Sequence, residues 1–184
     1  MLVSSLHAQP VERKEKIIIK TQLGDIHAKI DLKRAPVTSS NFLRYIDAGL
    51  FDSSCFYRVV RTDNQPDNNV LIEVIQGGRY EEEENGFQPI THETTAMTGI
   101  RHWNGTISMA RTEPGSATSE FFVCVGDQPE LDYGGRRNPD LQGFAAFGKV
   151  IKGMDVVKRI HSISAQGQYL DKPVVILKII RAKQ

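Results

Sequence analysis

Short β-rich runs separated by turn residues constrain this chain more than any other feature. Ile17-Ile18-Ile19-Lys20-Thr21 is β-branched, Leu23-Gly24-Asp25 supplies a turn, and Ile26 to Leu32 alternates with period two, which predicts a hairpin with one wet face. The runs Cys55 to Val60, Val70 to Gln76, Thr106 to Ala110, Phe121 to Val125, Phe144 to Val150 and Val174 to Ile180 repeat the pattern, the last bounded by Pro173. Two stretches instead carry helical spacing: Val37, Phe42, Leu43 and Ile46 after Pro36, and Met154, Val157, Ile160 and His161 after Gly153. About eight short strands in one domain expose edges that invite pairing with other chains, and closing the sheet removes those edges. The expected fold is therefore mainly β: a closed eight-stranded antiparallel barrel capped by two α-helices.

The chain has 184 residues, room for one domain at about 150 residues each. Its 23 Lys and Arg against 22 Asp and Glu leave a net charge of +1, so no global field draws it to nucleic acid or an anionic membrane. No apolar stretch approaches the ~20 residues of a membrane span, and no membrane insertion is expected. Cys55 and Cys124 are too few for a disulfide scaffold or a four-thiolate zinc site, and each lies in an apolar run; buried, reduced thiols are expected. Residues 1–14 read as a flexible N-terminal segment. Within it MLVSSLHAQ is similar to the tail of a secretory signal, which leans the origin toward an extracytoplasmic compartment such as a bacterial periplasm without fixing it. The polar run Arg61 to Asn69, with Pro66 inside it, reads as an exposed loop. Gly77 to Asn104, which contains Glu81 to Glu84, reads as a long surface excursion.

The usual reactive constellations are missing from the sequence. None of the five histidines forms an HExxH pair, and there is no GxSxG elbow, no GxxxxGK[ST] phosphate loop and no GxGxxG turn. His92-Glu93 reads as a solvated loop pair, since a metal needs three or four converging ligands, and the glutamate run reads as a solvated face. No metal and no cofactor are expected.

An ordered set of motifs does stand out: Phe56-Tyr57-Arg58; Val74-Ile75-Gln76-Gly77-Gly78; Gly105 to Ala110; Ser119-Glu120-Phe121-Phe122-Val123-Cys124; and Phe147-Gly148-Lys149-Val150 running to Gly153-Met154. With Ala35-Pro36-Val37 and Asn41-Phe42, the set resembles the cyclophilin family of peptidyl-prolyl cis/trans isomerases from about Ile17 to Ile180, so that residues 15–184 are read as one cyclophilin-like domain. The resemblance implies the same barrel, reached above by strand count, and an enzyme that speeds rotation about Xaa-Pro bonds and assists folding. It implies Arg58 and Gln76 as the catalytic pair, Arg58 donating to the twisting amide and Gln76 holding both the arginine and a peptide carbonyl. Substrate-binding positions carried over are Val74, Phe122, Leu131 and Phe144 as an apolar cup for the proline ring, with Met109 and Ala110 as the wall beside the peptide. Glu120 joins them, and Arg111 is expected to act through its main chain. The implied partners are proline-containing peptides and unfolded chains, met by a monomer.

Each residue also has a plainer reading. Arg58 between Tyr57 and Val59 fits the wet face of a half-buried strand, and Phe121 and Phe122 point to opposite faces, so that one of them is core. Several positions depart from the family pattern: Glu73 stands in place of an aromatic residue, Glu130 in place of a tryptophan, Glu120 in place of a glutamine and Phe144 in place of histidine or tyrosine. An unpaired charge beside an apolar cup is costly, so Glu73 and Glu130 must face water or find a basic partner. The insertion after Arg58 is expected as a lip or a block at the groove. The alternative function is a proline-peptide-binding module or chaperone with little or no turnover. A carboxylate-dependent hydrolase using Glu73 and Glu120 lacks any positioned nucleophile.

Overall fold

The structure, a computed structural model, describes residues 14–79 and 86–182. The expected N-terminal segment lies outside the described residues except for Lys14, as does the glutamate run Glu81 to Glu84. Nine strands are described: β1 (Lys14–Thr21), β2 (Gly24–Asp31), β3 (Cys55–Val60), β4 (Val74–Gly78), β5 (Thr106–Met109), β6 (Phe121–Cys124), β7 (Ala146–Lys152), β8 (Ala165–Gln166) and β9 (Tyr169–Arg181). They pair antiparallel in the order β1-β2-β7-β5-β6-β4-β3-β9, and β9 returns to β1, which closes eight of them into a barrel. The two-residue β8 pairs with β9 as a short hairpin outside that ring.

Alternation fills the interior. Ile17, Ile19, Ile26, Ala28, Ile30, Ile75, Ile107, Phe121 and Val123 are inaccessible to solvent, one from every second position of their strands. Helix α1 (Pro36–Asp47) closes one end with Phe42, whose ring meets those of Phe51, Phe147 and Phe121 at 4.9, 5.0 and 5.2 Å. Helix α3 (Met154–His161) buries Val156, Val157 and Ile160, and its range is the one the spacing predicts.

Several expectations need correction. A third helix, α2 (Thr95–Thr98), sits inside the stretch read as a surface excursion; Thr94 caps its start, and Gly99 at φ 67° ends it in the left-handed region. Ile100 and His102, just beyond, are buried at 8% and 0% exposure, so this stretch is part of the packed structure. Glu93 is buried rather than solvated. Its carboxylate accepts from Val37 N at 3.1 Å, Thr38 N at 2.7 Å and Thr38 Oγ1 at 2.7 Å, and so caps α1, whose own flanking residue Ala35 has no side-chain acceptor. Strand β7 begins at Ala146 rather than Phe144, whose N–H goes to the Leu131 carbonyl, and β4 begins at Val74 rather than Val70, Ile72 before it being held by a side chain instead of a ladder. Gln65, buried in the polar run, brackets Ile72 in this way, donating from Nε2 to its carbonyl and accepting from its N–H. Both cysteines are free, but only Cys124 is buried; Cys55 is half-buried near the end of the barrel wall.

Candidate functional site

Antiparallel register assembles the site on the outside of the barrel. Arg58 pairs with Gln76, Gln76 with Phe122 and Phe122 with Ser108, so these four lie side by side across β3, β4, β6 and β5. Strict alternation from the buried Phe56 would turn Arg58 into the core. A β-bulge prevents it: Phe56 faces Gly77 and Arg58 faces Gln76, leaving Tyr57 as the extra residue and aiming Arg58 outward. Gly77 is where the chain needs no side chain, since a Cβ there would lie 2.6 Å from the Cys55 carbonyl.

Around that row a second apolar cluster forms outside the barrel core: Val60, Ile72, Val74, Phe122, Cys124 and Leu131, with Ala110 and Phe144 against it. The Phe122 and Phe144 rings meet edge to face at 5.3 Å. The cluster floors a groove of about 770 Å³ lined by Arg58, Val74, Gln76, Ala110, Arg111, Glu120, Phe122, Leu131 and Phe144. Met109 is the exception among the expected residues. It is 1% exposed and packs inside the barrel, because β5 alternates and presents Ser108 and Ala110 to the other face.

A polar chain fixes Arg58 and Gln76. Gln76 Oε1 accepts from Arg58 Nη1 at 2.7 Å, while Gln76 Nε2 donates to Tyr57 Oη at 2.7 Å and to Glu120 Oε2 at 2.9 Å. Tyr57 Oη donates to the same Glu120 oxygen at 2.6 Å. A carboxylate only accepts and a guanidinium only donates, so a single orientation of the Gln76 amide satisfies both neighbours. Burial, with the Glu120 bond second, pushes the Tyr57 phenol far above its ordinary pKa, and it stays a neutral donor. Both N–H groups of the Gln76 amide are thus directed at Tyr57 and Glu120.

The walls are braced by charged side chains. The side chain of Arg111 is buried, donates to the Gly143 carbonyl at 2.9 Å and 2.7 Å, and pairs with both oxygens of Asp140 at 2.7 and 2.9 Å. Its guanidinium also lies 5.1 Å from the centre of the Phe144 ring, so it clamps the loop that carries Phe144. Asp140 is held below the usual carboxylate range by its bonds to Arg111. Arg137 Nη1 bridges Gln65 Oε1 at 2.7 Å and the Val70 carbonyl at 2.6 Å, tying the insertion to the opposite wall. The insertion is therefore a brace at the edge of the groove. Glu130 meets the requirement placed on it: it is partly exposed to water, pairs with Arg136 at 2.9 Å, and its carboxyl is held low by that arginine.

Behind Phe122, the ring of His102 stacks at 5.9 Å with an 18° interplanar angle. His102 Nδ1 is 2.8 Å from Asp132 Oδ1 and Nε2 is 3.0 Å from Ser108 Oγ. Burial lowers its pKa, and the neutral tautomer that donates from Nδ1 and accepts at Nε2 satisfies both partners. His102, Arg137 and Gln168, which also holds Arg58, carry no motif in the sequence, because the loop packing that recruits them acts over long separations; Tyr57 stands inside a motif, but the bulge that turns it toward Gln76 and Glu120 leaves no mark in the pattern. Among the described residues no group of His, Cys, Asp and Glu is arranged to hold a metal.

Residues 16–183 match the family model described as "Cyclophilin type peptidyl-prolyl cis-trans isomerase/CLD". Peptidyl-prolyl cis-trans isomerase A of Dickeya dadantii is 36% identical over 176 residues, covering 90% of this chain and 84% of that protein. Peptidyl-prolyl cis-trans isomerase B of Escherichia coli is 34% identical over 165 residues, covering 85% and 92%. A crystal structure of a Cryptosporidium parvum cyclophilin-type isomerase shares the fold with a TM-score of 0.74 at 19% identity, covering 93% of this chain and 99% of that one. A second structure of that protein, in the presence of the dipeptide Ala-Pro, gives 0.73, also at 19% identity, with coverage of 92% and 100%.

Proposed function

The chain belongs to the cyclophilin-type peptidyl-prolyl cis-trans isomerases, and we propose that it turns prolyl bonds over in the groove between Arg58 and Phe122, with Arg58 as the donor that stabilises the twisted amide. The planar amide resists rotation with a barrier of about 18–20 kcal/mol because its C–N bond has partial double-bond character. A group that binds the planar and twisted forms equally well accelerates nothing; the donor must bind the twisted form more strongly. As the amide twists, the prolyl nitrogen pyramidalises and gains a lone pair, and an N–H aimed at it becomes a better hydrogen bond in step with the rotation. Three of the five N–H bonds of Arg58 are used, on Nε, Nη1 and Nη2, which leaves two among the described residues for this purpose.

Gln76 is a positioning residue in this reading, holding one edge of Arg58 while Tyr57 and Glu120 hold Gln76. Phe122, Val74, Leu131 and Phe144 form the cup that seats the pyrrolidine ring, and burial of the ring fixes the axis about which the rest of the peptide turns. The substrates are proline-containing peptides; unfolded or exposed chain segments are the class that fits an open groove. The protein acts as a monomer with no cofactor, and nucleic acid is not a partner. The observation that carries the reading is the in-register row Arg58, Gln76 and Phe122, which sets a donor beside an apolar cup.

Titration of the isotope-labelled protein with a short Ala-Pro peptide tests it. Saturable NMR shifts are expected at Arg58, Phe122, Leu131 and Phe144. A peptide that shifts residues elsewhere and leaves this groove unmoved contradicts the assignment.

A further inference from the structure

Arg58 is held from two sides, and only one of them belongs to the strands that build the groove. Gln76 takes Nη1; on the opposite edge, Oε1 of Gln168 accepts from Nε at 3.0 Å and from Nη2 at 2.5 Å. Gln168 lies in the turn between β8 and β9 and is half-buried. The turn has its own scaffold. The Gln168 carbonyl accepts from Val59 N at 2.8 Å, its side-chain amide donates to the Asn64 carbonyl at 3.2 Å, and Asn64 Nδ2 donates to the Gly167 carbonyl at 2.9 Å. The polar insertion that follows Arg58 therefore reaches across and clasps the turn that in turn clasps Arg58.

We propose that Gln168 is a positioning residue for the isomerase reaction, an inference that rests on the reading of Arg58 given above. A guanidinium fixed along both edges keeps its plane, so its uncommitted N–H bonds meet the prolyl nitrogen in one orientation. Released on one edge, the planar fork turns about the bonds of its flexible stem, and transition-state contacts fall off steeply with small misplacements. The insertion thus has a catalytic purpose: through Asn64 it sets the position of Gln168.

Gln168→Met tests this, because the thioether keeps the length of the side chain and removes its strong acceptor. Isomerisation of an Ala-Pro peptide is followed by NMR exchange over a range of peptide concentrations, with wild type and Arg58→Ala measured beside the variant. The expected result is a kcat about three- to tenfold lower with KM within about twofold of wild type. The Arg58 Nε–H signal, protected from solvent exchange in wild type, exchanges faster in the variant. An unchanged kcat in Gln168→Met, or a loss confined to KM, overturns the inference while Arg58→Ala remains impaired. If Arg58→Ala matches wild type, the reading of Arg58 itself fails. Should Gln168→Met not fold, the wild-type Nε–H decides, and fast exchange there overturns the proposal.

Discussion

Arg58 and Phe122 flank Gln76 in one register row yet have different work in the proposed reaction, and their variants are expected to fail differently. Phe122→Ala opens the cup without touching the donor, and Phe122 is 4% exposed, so the variant loses core packing as well. Its deficit is expected mainly in KM and in unfolding midpoint, as steady-state NMR exchange and urea titration together resolve; a deficit confined to kcat contradicts the cup. Arg58→Lys is expected to recover little of the activity that Arg58→Ala loses. Lysine keeps the charge but presents a mobile point donor, so it cannot serve Gln76, Gln168 and the peptide at once. Wild-type turnover in Arg58→Lys contradicts a role for the planar fork. At this scale Arg58, Gln76 and Phe122 were legible because their neighbours form an ordered pattern. Met109 was misread because its neighbour Ala110 lies just past the end of β5 and only one of the two faces the groove. The clamp that Arg111 makes with Asp140 was not legible because it crosses a long loop.

At the scale of elements, α1 depends on a residue far along the chain. Glu93 supplies the acceptor for two N–H groups at the helix start and for the Thr38 hydroxyl, all within a site where Glu93 is 7% exposed. Glu93→Ala strands those donors without water and is expected to cost about 2–4 kcal/mol in urea unfolding, with Glu93→Gln costing less because the amide oxygen still accepts. A loss below about 1 kcal/mol in Glu93→Ala contradicts this account of the cap. Strand and helix ranges set by alternation were legible: β3 and α3 fall where the pattern puts them. The capping role was not. A Glu beside a His in a stretch rich in polar residues looks the same whether it faces solvent or a helix end, and only the closed barrel brings it to α1.

For the whole molecule, barrel closure was legible from the strand count, while the groove outside the barrel rests on the bulge at Tyr57, which the period-two pattern hides. The buried His102 makes stability depend on pH. Burial holds its pKa below the ordinary value against the opposing pull of Asp132, so the folded protein refuses a proton that the unfolded chain accepts near pH 6.5. His92 is shifted the same way, with burial the largest cause. Stability is thus expected to fall as pH drops from about 7.5 to about 5.5, and to fall less in His102→Gln relative to that variant's own value at the upper pH. Equal slopes for the two proteins contradict the role of His102.

The central claim, that this barrel turns prolyl bonds over through Arg58, meets its most direct test in one measurement: the isomerisation rate of a short Ala-Pro peptide by wild type and by Arg58→Ala, both confirmed folded by circular dichroism. The account predicts a wild-type rate well above the uncatalysed background and a catalytic efficiency at least about tenfold lower in Arg58→Ala, since loss of one transition-state donor removes about 2–4 kcal/mol of stabilisation and a flexible peptide recovers part of it. Folded wild-type protein with no rate above background, or an Arg58→Ala variant as fast as wild type, contradicts it.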